Sequence, residues 1–184
     1  AEGLRAPAQL DQAIGFIAHP PISAKPAQGS APDAPNDGKA APTPTSIPGT
    51  VEFWYRGSAT AMSPRDATKG VQVDDPPLAT PGMTSVRLDM SGRLRELIIV
   101  PVPNALASPT DAAEPPAINW NPLYKYADVD DSTIQPTTPQ RVPPVYCEKR
   151  FAWNCKDHSG RPLRCEAASV AGKPVYFSVL DHEW

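Results

Sequence analysis

Proline limits this chain more than any other residue: 25 of its 184 residues are proline, where an average soluble protein carries roughly 5%. Proline has no backbone N–H to donate inside a helix or a central strand. A helical bundle is therefore not expected, and many stretches should run as loops or extended arms. At 184 residues the chain can fill one core and carry an arm, but is short for two full domains.

Where the prolines crowd and where they thin out divides the chain. From Ser23 to Gly49 nearly every residue is Pro, Ala, Gly, Ser, Thr, Asp, Asn or Lys, with too few large apolar groups to offset the entropy of ordering. Residues 23–49 read as a Pro/Ala-rich loop or linker, residues 1–22 as an N-terminal arm, and residues 50–184 as an α+β domain. Within the arm, Leu10, Ile14 and Ile17 are spaced by four and three. This spacing predicts a short amphipathic helix over Leu4 to Ile17 that stops before His19-Pro20-Pro21.

Beyond Gly49 the signals turn to strands. Val51 to Arg56 concentrates β-branched and aromatic residues. Thr84 to Asp89 alternates, Met90-Ser91-Gly92-Arg93 turns the chain, and Leu94 to Val100 runs apolar until Pro101, which predicts a hairpin with Val86 and Leu88 facing inward. A second hairpin is expected from Leu163 to Ser169 and Pro174 to Leu180, around Val170-Ala171-Gly172-Lys173. Asn121 to Tyr126 and Cys147 to Asn154 read as short helices between the two. The expected fold class is α+β: an antiparallel sheet built from two hairpins, with short helices and long Pro-rich loops.

The charge pattern narrows the partners. The formal net charge is -3 and no Lys/Arg run with interleaved aromatics occurs, which argues against nucleic acid as a partner. No run approaches the roughly 18 apolar residues of a membrane span, so no membrane insertion by this stretch is expected.

Catalytic signatures are missing from the sequence. There is no His-Glu-x-x-His, no phosphate-cradling glycine loop and no Gly-x-Ser-x-Gly elbow. His19, His158 and His182 read as loop histidines, and Asp128, Asp130 and Asp131 lack the glycine and the twelfth-position Glu of a calcium loop. No metal, cofactor or catalytic residue is expected.

Cys147, Cys155 and Cys165 fall in one short segment with His158, but without the Cys-x₂-Cys knuckles that pre-form a zinc site. Three buried thiols and one disulfide with a thiol left over are both open readings. If a disulfide forms, Cys155 with Cys165 is the expected pair. On a shared helix Cys147 and Cys155 would stand about 12 Å apart, beyond a bridge that needs Cα atoms about 4.4 to 6.8 Å apart. The tryptophans and tyrosines read first as core. Trp120, Tyr124 and Trp153, lying between the hairpins, are the candidates for lining a ligand groove.

Several blocks together are similar to one known family. Phe53-Trp54-Tyr55-Arg56-Gly57-Ser58, Asp75-Pro76-Pro77, Gly82-Met83, Val86-Arg87-Leu88-Asp89, Ser91-Gly92-Arg93-Leu94 and Val100-Pro101 resemble the C-terminal extracytoplasmic region of some bacterial membrane-anchored Ser/Thr protein kinases. Trp120 with Pro122-Leu123, Pro143-Pro144, Ala152-Trp153, Arg161-Pro162-Leu163-Arg164, Glu166-Ala167-Ala168-Ser169 and Gly172-Lys173-Pro174-Val175-Tyr176-Phe177 continue it in order. The resemblance runs from Thr50 to the C-terminus. It implies a non-catalytic sensor that binds a ligand or protein partner outside the membrane and signals by rearranging or dimerising its anchors, with phosphotransfer in a separate cytoplasmic domain. A homodimer and an extracytoplasmic or periplasmic location follow as expectations. The alternative is a secreted or periplasmic structural module with no signalling role.

Overall fold

The structure, a computed structural model, describes residues 11–19, 50–103 apart from Ala67, and 117–181. Period-two alternation builds eight strands: β1 (Asp11–His19), β2 (Thr50–Ser58), β3 (Thr84–Asp89), β4 (Leu94–Ile99), β5 (Val129–Thr137), β6 (Lys149–Asp157), β7 (Pro162–Val170) and β8 (Lys173–Asp181). One helix is described among them, α1 (Asn121–Tyr126). The strands form a single sheet in the order β1-β2-β3-β4-β8-β7-β6-β5, with every neighbouring pair antiparallel. The expected α+β class with two hairpins and several short helices is thus corrected to a mostly antiparallel β-sheet protein.

Both expected hairpins are present, as β3–β4 and β7–β8, and Val86 and Leu88 pack inward against the core. The helix α1 forms where Pro122 near its start tolerates the missing donor. Two expected helices are instead strands. The described part of the Leu4 to Ile17 stretch belongs to β1, which pairs with β2 from Asp11 opposite Ser58 to His19 opposite Thr50; Leu4 to Leu10 and the 23–49 segment lie outside the described residues. Most of Cys147 to Asn154 belongs to β6, held between β5 and β7. A helix that short gains little in isolation, whereas a strand between two neighbours satisfies its backbone groups on both sides.

The sheet has two cores, one on each face. On the first face Phe177, Val179, Cys165, Leu163, Ala167, Trp153 and Cys155 pack under α1, with Leu123 and Tyr124 reaching down from the helix. On the second face Ile98, Ala168, Val170, Val175 and Tyr176 pack against Leu78, Val145 and Cys147 from the connecting loops.

Loops laid on a sheet bring backbone polar groups that must be satisfied, and two charged side chains do this on the second face. Arg56 is fully buried; its guanidinium donates to the carbonyls of Gln72, Val73 and Pro76. Glu166 is buried too and accepts from the backbone N–H groups of Gln140 (3.1 Å) and Arg141 (2.8 Å), and from Arg164 Nε (2.8 Å). A cation gathers carbonyls at one place and an anion gathers N–H groups at the other.

Candidate interaction surface

Side chains of β1 alternate between the two faces, so Ile14 and Phe16 share the first face with Tyr55 and Phe53, the residues directly opposite them on β2. Ile14 is 66% exposed and Phe16 74% exposed. Phe16 meets Phe53 edge to face, with ring centroids 5.6 Å apart. Met90, Val102, Tyr126, Val142 and Tyr146 are also exposed, but none of them lies on a strand. Single exposed apolar residues are ordinary, whereas adjacent ones on a flat strand face mark contact surfaces.

The reverse side of the same strands is closed. Gly15 stands directly opposite Trp54, and the buried indole lies so near that a Cβ on Gly15 would come within 2.6 Å of it. Next along this face Arg87 bridges strands: its guanidinium contacts Glu96 on β4 at 2.8 Å and Glu52 on β2 at 3.7 Å. Burial pushes the Glu96 carboxyl up, Arg87 opposes the rise, and Glu52 adds to it. His19 at the end of β1 contacts the same Glu52 oxygen at 3.6 Å. One face of β1 is thereby anchored while the other presents Ile14 and Phe16 to solvent.

The two outermost strands differ in their protection. β5 carries Asp130, Asp131 and Pro136, and its register with β6 breaks between Asp130 and Gln135; charge, proline and bulges are the usual guards of a sheet edge. From Gln12 to Ala18, β1 has no charged residue and no proline. Among the described residues no strand pairs with its outer side.

The three aromatic candidates from the sequence do come together, but inside. Trp120, Tyr124 and Trp153 are 8%, 6% and 9% exposed. Trp153 meets Trp120 at 5.6 Å and Tyr124 at 5.5 Å, both edge to face, and burial pushes the Tyr124 phenol up. These contacts are what aromatic core packing looks like. Beside them the outer side of α1 forms only a shallow depression lined by Asn119, Asn121, Pro122, Lys125 and Tyr126.

Cys155 and Cys165 also meet: their sulfurs are 3.5 Å apart, and both remain thiols with no bridge between them. The neighbouring Cys155 sulfur and burial together push the Cys165 thiol well above the ordinary range. The helix argument for excluding Cys147 fails, because Cys155 is on a strand. The sheet itself separates them, since Cys147 packs on the second face and the other two on the first.

Sequence reasoning missed the β1 surface because it assigned Ile14 and Ile17 to one face of a helix. The available signal was the unbroken run Ala13-Ile14-Gly15-Phe16-Ile17-Ala18, whose length suits a strand as well as a helix turn. Among the described residues no group of three or more His, Cys, Asp or Glu is placed to hold a metal ion, and no helix is long and apolar enough to cross a membrane. Comparison of the chain with protein-family models, with curated proteins and with solved structures returns no match.

Proposed function

We propose that this chain is a non-catalytic binding module that engages a protein partner through the β1–β2 end of its sheet. The observation that carries this reading is the pair Ile14 and Phe16, exposed side by side on a strand whose other face is anchored by Trp54 and Glu52. The ordered sequence blocks from Phe53 to Phe177 add a context: the extracytoplasmic sensor region of a bacterial membrane-anchored Ser/Thr protein kinase. In such a protein, binding at this surface would shift the arrangement of the membrane anchors and so the activity of the cytoplasmic domain.

The test is made in the full-length parent protein. Phe16→Lys, at an exposed position, is expected to change kinase autophosphorylation in cells while circular dichroism of the purified chain stays the same. A parent protein without kinase motifs would remove the signalling role. Hydrolysis of ATP by the purified chain, lost on substitution of one of its residues, would overturn the non-catalytic reading.

A further inference from the structure

We infer that the partner at the β1 edge is a second copy of this chain, joined by antiparallel pairing of β1 with β1 around a two-fold axis through Gly15. The inference rests on the binding role proposed above and names its partner.

An edge strand with unpaired N–H and C=O groups accepts another strand; among the described residues no strand pairs with the outer side of β1, whose seven residues from Gln12 to Ala18 carry no charge and no proline. A two-fold axis makes the contact self-complementary: each residue meets a residue that it also faces in return. Side chains on the same face must stay together, which leaves only registers that shift by two residues. With the axis at Gly15, Ile14 faces Phe16 of the partner subunit and Phe16 faces Ile14 of the partner subunit. Gln12 faces Ala18 of the partner subunit, and the two Gly15 residues face each other.

At both ends the same register sets Asp11 against His19 of the partner subunit. Within one chain Asp11 Oδ2 accepts from Met62 N (2.7 Å) and His19 Nε2 contacts Glu52 (3.6 Å), so the pairing engages the other carboxylate oxygen and Nδ1. A shift of two residues one way puts Phe16 against Gln12 and Asp11 against Ile17. A shift the other way puts Phe16 against Phe16 and carries Asp11 beyond the strand end at His19. Of these registers, the Gly15-centred one sets Ile14 against Phe16 at its centre and acid against imidazole at both ends, with Gln12 against Ala18 between them. It extends the sheet through the edge that lacks charge and proline, and leaves the guarded β5 edge outside.

Sedimentation of the purified chain over a concentration series is expected to show a species of twice the 19.7 kDa chain mass. Phe16→Lys, which breaks two cross-strand pairs per dimer, is expected to weaken association about tenfold. Register is read by cysteine crosslinking under mild oxidation. The double variant Gln12→Cys with Ala18→Cys should form a covalent dimer, and Gln12→Cys alone should not, because its two copies would lie about 20 Å apart along the strands. A monomer at every concentration overturns the inference, as does a dimer that Phe16→Lys leaves intact and the double variant does not crosslink. A monomer whose Phe16→Lys variant still changes signalling in the parent protein would sink the second copy but keep the binding role; a monomer with no such change would sink both.

Discussion

Asp89 and Asp157 hold their turns by the same set of hydrogen bonds. Each begins the sequence Asp-x-Ser-Gly-Arg, at Asp89–Arg93 between β3 and β4 and at Asp157–Arg161 between β6 and β7. Asp89 Oδ1 accepts from Ser91 N (2.8 Å) and Arg93 N (3.0 Å), and Oδ2 from Arg93 Nε (2.8 Å). Asp157 Oδ1 accepts from Ser159 N (2.9 Å) and Arg161 N (2.9 Å), and Oδ2 from Arg161 Nε (3.2 Å). Gly92 and Gly160 follow at φ 77° and 85°, values that favour a residue without Cβ. Asp128 lies between the two turns, accepting from Arg93 Nη1 (3.5 Å) and pairing with His158 Nδ1 (2.9 Å). Hydrogen bonding to Asp128 raises the His158 pKa.

Asp157 is the more buried of the two, and its removal should be felt. Asp157→Ala is expected to cost about 1.5 to 3 kcal/mol in urea denaturation at neutral pH. Hydrogen bonds from Ser159 and Arg161 hold its carboxyl down at about 2. A depressed folded-state pKa contributes stability that is present above the ordinary carboxylate value and lost as pH falls through the folded one. The difference between wild type and variant should therefore narrow below about pH 4 and go on shrinking as pH falls through about 2. A difference independent of pH would show that the carboxylate charge is not what the turn uses.

Gly15 is required by its neighbour rather than by its own backbone. Gly15→Ala places a Cβ 2.6 Å from the Trp54 indole, and overpacking of this kind costs about 1 to 3 kcal/mol. The expected outcome is a lower denaturation midpoint together with a shift in tryptophan emission as Trp54 becomes exposed. An unchanged midpoint would mean that the indole moves aside freely.

Arg56 should not be replaceable by lysine. Its planar fork reaches three carbonyls of the 72–76 loop, a geometry that an ammonium cannot reproduce. Arg56→Lys and Arg56→Met are both expected to destabilise the fold by about 2 to 5 kcal/mol and to open the 72–76 loop to limited proteolysis. Full protection of that loop in Arg56→Met would contradict the clamp.

The thiols should react in the order of their burial. Cys147 is half-buried, and Cys155 and Cys165 are buried, so iodoacetamide should modify Cys147 first in the native protein. Oxidation is expected to join Cys155 to Cys165, whose sulfurs are already in contact. A crosslink containing Cys147, found by mass spectrometry without reductant, would contradict the separation of the thiols by the sheet.

Local sequence determined the elements whose instructions are local. The β3–β4 and β7–β8 hairpins follow from alternation ending in glycine-bearing turns, β2 from its run of β-branched and aromatic residues, and α1 from a proline that suits a first turn. The repeated Asp-x-Ser-Gly-Arg turns were equally visible as text, although their equivalence becomes physical only in their matching hydrogen bonds. Tertiary structure decided β1 and β6. Leu10, Ile14 and Ile17 satisfy a helical spacing, and Cys147 to Asn154 has helix-tolerant ends, yet the first is also a short apolar run that suits a strand and the second places Phe151 and Trp153 two apart. Pairing with β2 in one case and with β5 and β7 in the other selected the strand, because hydrogen bonds to partners distant in sequence outweigh weak local preference. The same pairing turned Trp120, Tyr124 and Trp153 into core and left Ile14 and Phe16 outside, since the face a residue occupies is set by register, and register is a property of the assembled sheet.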